Sequence, residues 1–184
     1  RDINPYFKRA GRVLIVHNVG GFSLKAPMPP EERESMYRRL SESLAQVDQD
    51  GVEIIPQTMP PFPWLFGGQR FHNLFVDPDE IAQFCKRNKM RICLDVSHSQ
   101  LACNHNGWYL SKFVQTVGPY VAHLHIVDAA GVDDEGLQIA DGEIDFAGLG
   151  RYLKEFIPGA GFIPEIWQGH KNNGEGFWLA LDRL

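Results

Sequence analysis

The regular alternation of short apolar runs with longer helical patterns limits the fold more than any other feature of the sequence. Five runs rich in branched apolar residues suit strands that are buried on both faces. They cover residues 12–17, 52–57, 91–95, 121–126 and 161–166. Helical patterns separate these runs, which predicts βαβ units and a parallel sheet. Periodicity alone leaves two architectures open, a closed TIM barrel and an open doubly wound sheet.

Capping residues and apolar spacing predict the helices between the runs. Asp77 can cap a helix whose first turn holds Pro78, and Glu80 would complete a capping box. Asp145 is expected to cap a helix over residues 146–156. Further helices are predicted from about residue 29 to 47 and from 108 to 117, and a short closing helix is predicted to carry Phe177, Trp178 and Leu181.

Polar side chains able to bind a metal or move a proton stand at the ends of the predicted strands. They are His17, Gln57, Asp95, His125 and Glu165. In a closed barrel the carboxyl ends of all strands converge on one mouth, where the catalytic groups of this fold lie. The glycine-rich fingerprint of a dinucleotide fold follows none of the predicted strands. The strand ends therefore favour the TIM barrel over the open sheet.

Length, charge and composition suit one globular domain over residues 1–184. The formal charge of −5 and the pI near 5.8 argue against a nucleic-acid partner, because such surfaces concentrate Lys and Arg. No stretch approaches the roughly 20 apolar residues that cross a bilayer, so we expect no membrane partner and a soluble, cytoplasmic protein. The three cysteines are predicted to be small core residues.

Three local patterns are the candidates for chemistry. In Asp95-Val96-Ser97-His98, the carboxylate and the imidazole can both face the barrel mouth, although a capping Asp beside a surface His explains the same spacing. His123 and His125 share one face of a strand, and a histidine there can also be a satisfied core group. Glu165 stands in an apolar strand, where an ionised carboxylate needs a cation or a donor. An ion pair with Lys or Arg is the alternative.

Taken in order, these patterns resemble the xylose isomerase-like superfamily of TIM barrels. The resemblance rests on the Asp-x-x-His at 95–98, the His-x-His-x-x-Asp at 123–128, the glycine-containing segment 141–146 and the final strand with Glu165. It runs from about Val13 to the C-terminus. The superfamily includes sugar epimerases, sugar-phosphate isomerases and AP endonucleases. The resemblance implies a (β/α)8 barrel.

The resemblance also implies roles for individual residues. Asp95, His125 and Glu165 would bind a divalent cation, Mn²⁺, Mg²⁺, Co²⁺ or Zn²⁺, and this mixed oxygen and nitrogen set does not select one metal. Glu165 would transfer the proton, and His98 would act on the substrate or support the metal ligands. The expected substrate is a small sugar or sugar phosphate. The candidate substrate-binding residues are His17, Trp64, His170 and Lys171.

Two departures from the superfamily pattern qualify this interpretation. Gln57 stands where the pattern usually has a Glu; its carbonyl oxygen can bind a metal, but it cannot take a proton. Glu53 is no substitute, since it lies near the other end of the strand. The strand with His17 resembles the third barrel strand, so the first two βα units are absent. We therefore expect a further N-terminal segment or an oligomer to complete the barrel.

The resemblance thus implies a metal-dependent sugar isomerase or epimerase that transfers a proton next to a carbonyl. Two alternatives stay open. One is an AP endonuclease-like phosphodiesterase, although the segment 133–136 lacks the extra Asp-x-His of those enzymes. The other is a non-catalytic sugar-binding barrel, in which the usual Glu has been replaced by Gln57 and catalysis has been lost.

Overall fold

A row of parallel strands, most of them followed by helices, organises the computed structural model, which describes residues 13–62 and 70–184. The strands are β1 (Val13–His17), β2 (Phe22–Ser23), β3 (Val52–Pro56), β4 (Phe71–His72), β5 (Ile92–Asp95), β6 (Val121–Ile126), β7 (Asp128–Ala130), β8 (Asp134–Leu137) and β9 (Gly161–Pro164). The helices are α1 (Pro30–Leu44), α2 (Pro78–Asn88), α3 (Val96–Asn106), α4 (Leu110–Val117), α5 (Phe146–Phe156) and α6 (Lys171–Arg183). All five predicted strands are confirmed, each to within a few residues at its ends.

The five long strands lie side by side in chain order. β1 pairs in parallel with β3, and β5, β6 and β9 form a second parallel sheet. A parallel bridge between Gln57 and Cys93 connects β3 to β5. Sequential order is the arrangement of a barrel wall, whereas a doubly wound sheet reverses its order at a switch point. The described strands do not close into a ring, so what is observed is a mixed α/β fold with open edges at β1 and β9.

The burial of each strand depends on its place in the row. All four residues of β5, in the middle of the row, are buried, as expected for a strand covered on both faces. The edge strands are more exposed: Ile15 of β1 is 45% exposed and Phe162 of β9 is 47% exposed. The core lies between the strands and the helices, and its largest fully buried side chains include Phe75, Phe84 and Phe113. The three cysteines are buried and free, as predicted.

Two helix starts follow the sequence prediction, with one difference. The Asp77 carboxylate accepts hydrogen bonds from the backbone N–H groups of Asp79 and Glu80, at 2.8 and 3.2 Å. The Glu80 side chain does not complete a capping box, because it forms an ion pair with Arg33 at 2.6 Å. Asp145 caps α5 by accepting from the Gly148 N–H at 2.9 Å.

Two features near the strand ends were not predicted. α3 begins directly after β5, so His98 lies in the first turn of a helix rather than in an irregular turn. After β6 the chain forms an antiparallel hairpin from β7 and β8. Both features border the carboxyl ends of the parallel strands. Among the described residues, none of the helices combines the length and the apolar character needed to cross a membrane.

Candidate metal centre

Asp95, His125 and Glu165 come together at the carboxyl ends of three neighbouring strands. Asp95 ends β5 and lies opposite His125 of β6 in the parallel register. Glu165 follows β9, whose Ile163 is the register partner of His125. One ligand atom from each of the three residues lies within 4.8 Å of the others. Asp95 Oδ2 is 3.6 Å from His125 Nδ1, and Glu165 Oε2 contacts the same nitrogen.

Gln57 adds a fourth polar side chain to this cluster. It is only 3% exposed and follows β3, the neighbour of β5 in the row. Its Nε2 donates to Asp95 Oδ2 at 2.9 Å and lies 3.2 Å from His125 Nδ1. The amide of Gln57 therefore contacts two of the three candidate ligands.

Hydrogen bonds to Oδ1, the carboxylate oxygen that does not contact Gln57, fix the orientation of Asp95. Oδ1 accepts from the Ser97 hydroxyl at 2.9 Å and from the His98 backbone N–H at 3.0 Å. The second of these bonds caps α3. Asp95 therefore is a helix cap, as the alternative interpretation proposed, while its Oδ2 remains directed at His125 and Gln57. The two interpretations of this residue are compatible.

His98 lies beside the cluster, bonded on one ring nitrogen and facing a carboxylate with the other. Its Nδ1 is 2.8 Å from the Thr58 carbonyl oxygen, which identifies Nδ1 as a donor. Its Nε2 lies 3.3 Å from Oε2 of Glu135, on the β7–β8 hairpin. This contact is an ion pair without hydrogen-bond geometry, since Glu135 Oε2 has no hydrogen-bond partner.

The cluster perturbs the pKa values of its members. Burial alone would lower the pKa of His125, but its close contacts with Asp95, Cys93 and Glu165 outweigh this effect and raise the pKa to about 12. Burial likewise opposes the charged form of His98, and the charges of Asp95 and Glu135 raise its pKa to about 9. Burial would raise the pKa of Asp95, yet the neighbouring histidines hold it well below its usual range. Without a metal, both histidines are therefore cationic at neutral pH.

Glu165 is much more exposed than expected for a carboxylate inside an apolar strand. Its side chain is 52% exposed, against 6% for His125 and 1% for Asp95. The residue lies just beyond β9 rather than inside an apolar strand, so burial does not force a cation upon it. Its partner is His125 rather than Lys or Arg. The case for Glu165 as a ligand therefore rests on its position beside Asp95 and His125.

A cavity of about 500 Å³ opens over the cluster. Gln57, His98 and Glu165 line one part of it, and the β7–β8 hairpin contributes Glu135. Trp167, which is 56% exposed, supplies an aromatic surface to the lining. Neither Glu135 nor Trp167 was predicted from the sequence. Strand alternation does not point to Trp167, because this residue lies in the turn beyond β9, two residues after Glu165.

The remaining predicted substrate residues are not brought together around this cavity. His17 is exposed, and its backbone carbonyl accepts from the Gln57 N–H at 3.0 Å; its neighbour Asn18, rather than His17, lines the cavity. His170 and Lys171 are exposed at the start of α6, outside the lining, and Lys171 Nζ donates to Gln168 at 2.7 Å. Trp64 lies outside the described residues.

Comparison with other proteins places this architecture in a family. A family model described as "Xylose isomerase-like TIM barrel" matches residues 6–181. The protein MJ1311 of Methanocaldococcus jannaschii, named as uncharacterized, is 26% identical over 156 residues, which are 83% of this chain and 50% of that protein. The chain thus spans half the length of the curated relative that it matches.

Solved structures share the fold at low sequence identity. A D-tagatose 3-epimerase-like protein is 22% identical with a TM-score of 0.62, over 92% of this chain and 62% of that one. The 3-keto-D-glucoside 4-epimerase YcjR from E. coli is 15% identical with a TM-score of 0.61, over 96% and 64% of the two chains. The IolI protein, solved with a zinc atom, is 15% identical with a TM-score of 0.68, over 93% and 61%. The parallel row of strands and the match over residues 6–181 together show that the chain belongs to the xylose isomerase-like TIM-barrel family.

Proposed function

We propose that this chain carries the metal site and the proton-transfer residue of a sugar isomerase or epimerase. The observation that carries the proposal is the meeting of Asp95, His125 and Glu165 within 4.8 Å, beside a cavity whose lining includes Glu165. Three strand ends deliver two carboxylates and an imidazole to a single point. Such a set of ligands can hold a metal ion, and a bound metal ion can polarise the carbonyl group of a substrate.

The donor set fits a divalent cation. Two carboxylate oxygens lie close together around His125 Nδ1, and a cation would offset their mutual repulsion. Gln57 can turn its amide so that the carbonyl oxygen faces the same point. Mn²⁺, Mg²⁺, Co²⁺ and Zn²⁺ all accept such mixed ligands, and the zinc atom in IolI supports zinc as one candidate. When bound, the cation would polarise the carbonyl and the adjacent hydroxyl of a sugar.

Glu165 would act as the base of the reaction, and His98 would donate a hydrogen bond to the substrate. Glu165 reaches into the cavity with a half-exposed carboxylate, so it can meet a carbon-bound proton next to the carbonyl. His98 is cationic and fixed by Thr58, so it can donate a hydrogen bond to a substrate oxygen. Such acid–base assistance is typically worth about 10² to 10⁴ in rate.

The surroundings of the site support a small sugar or sugar phosphate as the partner. The cavity volume of about 500 Å³ suits a molecule of that size. Trp167 offers a face on which a sugar ring can pack. The open edges at β1 and β9 support a further segment or a second chain that completes the wall, because unpaired strand edges with exposed apolar residues are costly to leave bare.

Metal analysis combined with a sugar panel tests the proposal. We expect the purified full-length protein to bind close to one divalent ion per chain and to interconvert members of a panel of aldoses and ketoses. Asp95→Asn should lose both the ion and the turnover. Bound metal without turnover on free and phosphorylated sugars would favour a sugar-binding barrel. Cleavage of abasic DNA would favour the AP endonuclease alternative.

A further inference from the structure

We propose that Gln57 restricts the site to proton transfer on one face of the substrate, so that it interconverts aldoses and ketoses and does not invert a carbon centre. This inference rests on the proposed function. It goes further by selecting between isomerase and epimerase. It depends on a neutral side chain at a buried position beside the reacting groups.

The position of Gln57 is well defined. The backbone is held in the strand row by its N–H bond to the His17 carbonyl and by the bridge to Cys93. The side chain is buried and contacts Asp95 Oδ2 and His125 Nδ1. Gln57 and Glu165 therefore stand at the two ends of the row of strand-end side chains, with Asp95 and His125 between them.

Inversion at a carbon next to a carbonyl needs two proton-transfer groups. One base removes the proton from one face, and a protonated group on the opposite face returns a proton to the same carbon. Glu165 can act as a base on its side of the cavity. Gln57 cannot act on the other side, because an amide neither takes nor returns a proton at neutral pH.

A single carboxylate is sufficient for isomerisation. Glu165 removes the proton from the hydroxyl-bearing carbon, and the electron pair of that C–H bond forms the enediol double bond as the neighbouring C=O becomes C–O. The protonated Glu165 then returns the proton to the former carbonyl carbon on the same face, while the hydroxyl proton moves from one oxygen to the other. The product has the same atoms as the substrate, with the carbonyl shifted by one carbon, and no other reactant is needed.

His98 is assigned to a substrate oxygen rather than to a carbon, because its Nδ1 bonds to the Thr58 carbonyl and its Nε2 faces Glu135. The other carboxylates of the cavity are arranged differently. Glu135 faces His98 at 3.3 Å, and this contact commits it to an ion pair. Asp133 and Asp134 are exposed on the hairpin. Among the described residues at the far end of the strand row from Glu165, Gln57 is the one whose side chain contacts the ligand atoms of both Asp95 and His125.

The test follows the stereochemistry of the product in deuterated water, using the full-length protein loaded with metal. The wild type should give the aldose–ketose pair, with epimers formed at least about 10²-fold more slowly, since one acid–base group is missing. Part of the carbon-bound hydrogen should pass from substrate to product without exchange. Gln57→Glu should raise epimer formation and incorporate solvent deuterium at the inverted carbon.

Gln138→Glu is the matched control. It adds the same charge to the lining of the same cavity, but at a side chain held by Gly176 and by the backbone of Ile139. It should not produce epimers. In a titration of the metal-free protein, Gln57→Glu should also bind the divalent ion more tightly than Gln138→Glu, because only the first variant places a carboxylate beside Asp95 and His125.

Each outcome bears on the inference. Rapid epimer formation by the wild type would overturn it while leaving the proposed function intact, and loss of those epimers in Glu135→Gln would assign the second group to Glu135. Failure of Gln57→Glu to produce epimers, in a variant that still isomerises, would also overturn it. Absence of turnover in the wild type would reject the proposed function and this inference together.

Discussion

His98 Nε2 lies 3.3 Å from Glu135 Oε2, and this pair connects the first turn of α3 to the β7–β8 hairpin. The pair matters because Glu135 is one of the charges that hold His98 in its cationic form. Asp95, on the opposite side of the imidazole, is the larger of the two influences. The hairpin therefore modulates a histidine whose position is fixed by Thr58 and Asp95.

Glu135→Gln should lower the pKa of His98 from its raised value of about 9. Removal of one adjacent opposite charge typically moves a pKa by about one unit or more. The raised pKa stabilises the folded state fully below pH 6.5, and this contribution is lost as the pH rises through 9. The variant should therefore show a smaller loss of stability between these values.

Titration of the His98 ring by NMR in the metal-free protein measures this shift directly. Asp133→Asn is the control, because it removes a charge from the same hairpin at an exposed residue. An unchanged His98 pKa in Glu135→Gln would show that the hairpin does not hold its carboxylate at the imidazole in solution.

Glu165→Gln should abolish turnover without unfolding the protein. The side chain is half exposed, so its replacement leaves no buried charge unpaired except that of His125. We expect kcat to fall by about 10²-fold or more, since the residue would be the proton-transfer group. Glu175→Gln, at an exposed position of α6, should retain full activity. Activity of Glu165→Gln near the wild-type level would remove Glu165 from the proposed mechanism.

The strand-end residues were predictable from the sequence because they follow a general rule of parallel sheets. Asp95, His125 and Glu165 each come at the carboxyl end of an apolar run, and the ends of neighbouring parallel strands meet at one edge. Their convergence therefore needed only the order of the strands. The roles of His170 and Lys171 were predicted from nearness in the chain alone, and both side chains lie away from the cavity.

The elements that the sequence did not predict lack a local pattern. α3 is buried on several sides, including at Ser97 and Ser99, so its apolar residues do not form the stripe of an amphipathic helix. Glu135 reaches His98 only because the hairpin folds over the strand ends. Such a contact depends on long-range packing, which no spacing within the sequence encodes.

His72 should make the protein sensitive to acid. Burial lowers its pKa to about 4, against 6.5 for the free side chain, while Nε2 bonds to the Val19 carbonyl at 2.7 Å. Between pH 6.5 and 4, His72 is protonated in the unfolded chain but not in the folded chain. The folded state therefore loses stability as the pH falls from 6.5 to 4, and the loss levels off below pH 4. The shift corresponds to about 3 kcal/mol.

Urea unfolding of the wild type and of His72→Gln between pH 7 and pH 4 checks this expectation. The variant keeps a donor for the Val19 carbonyl and does not titrate in this range, so its stability should fall less over the same interval. Parallel pH profiles for the two proteins would show that another group causes the acid sensitivity.

Metal binding should release a proton and stabilise the fold. The pKa of His125 is raised to about 12 in the metal-free cluster, so the imidazole carries a proton that a cation bound at Nδ1 must displace. Calorimetric titration with Zn²⁺ or Mn²⁺ in two buffers of different ionisation enthalpy should report this proton, and the apparent affinity should rise with pH.

At a free metal concentration 100 times the dissociation constant, the folded state should gain about 2.7 kcal/mol. Chelation should reverse that gain, and His125→Ala should show neither the proton release nor the stabilisation. If the variant is stabilised by metal as strongly as the wild type, the imidazole between Asp95 and Glu165 is not a ligand of the cation.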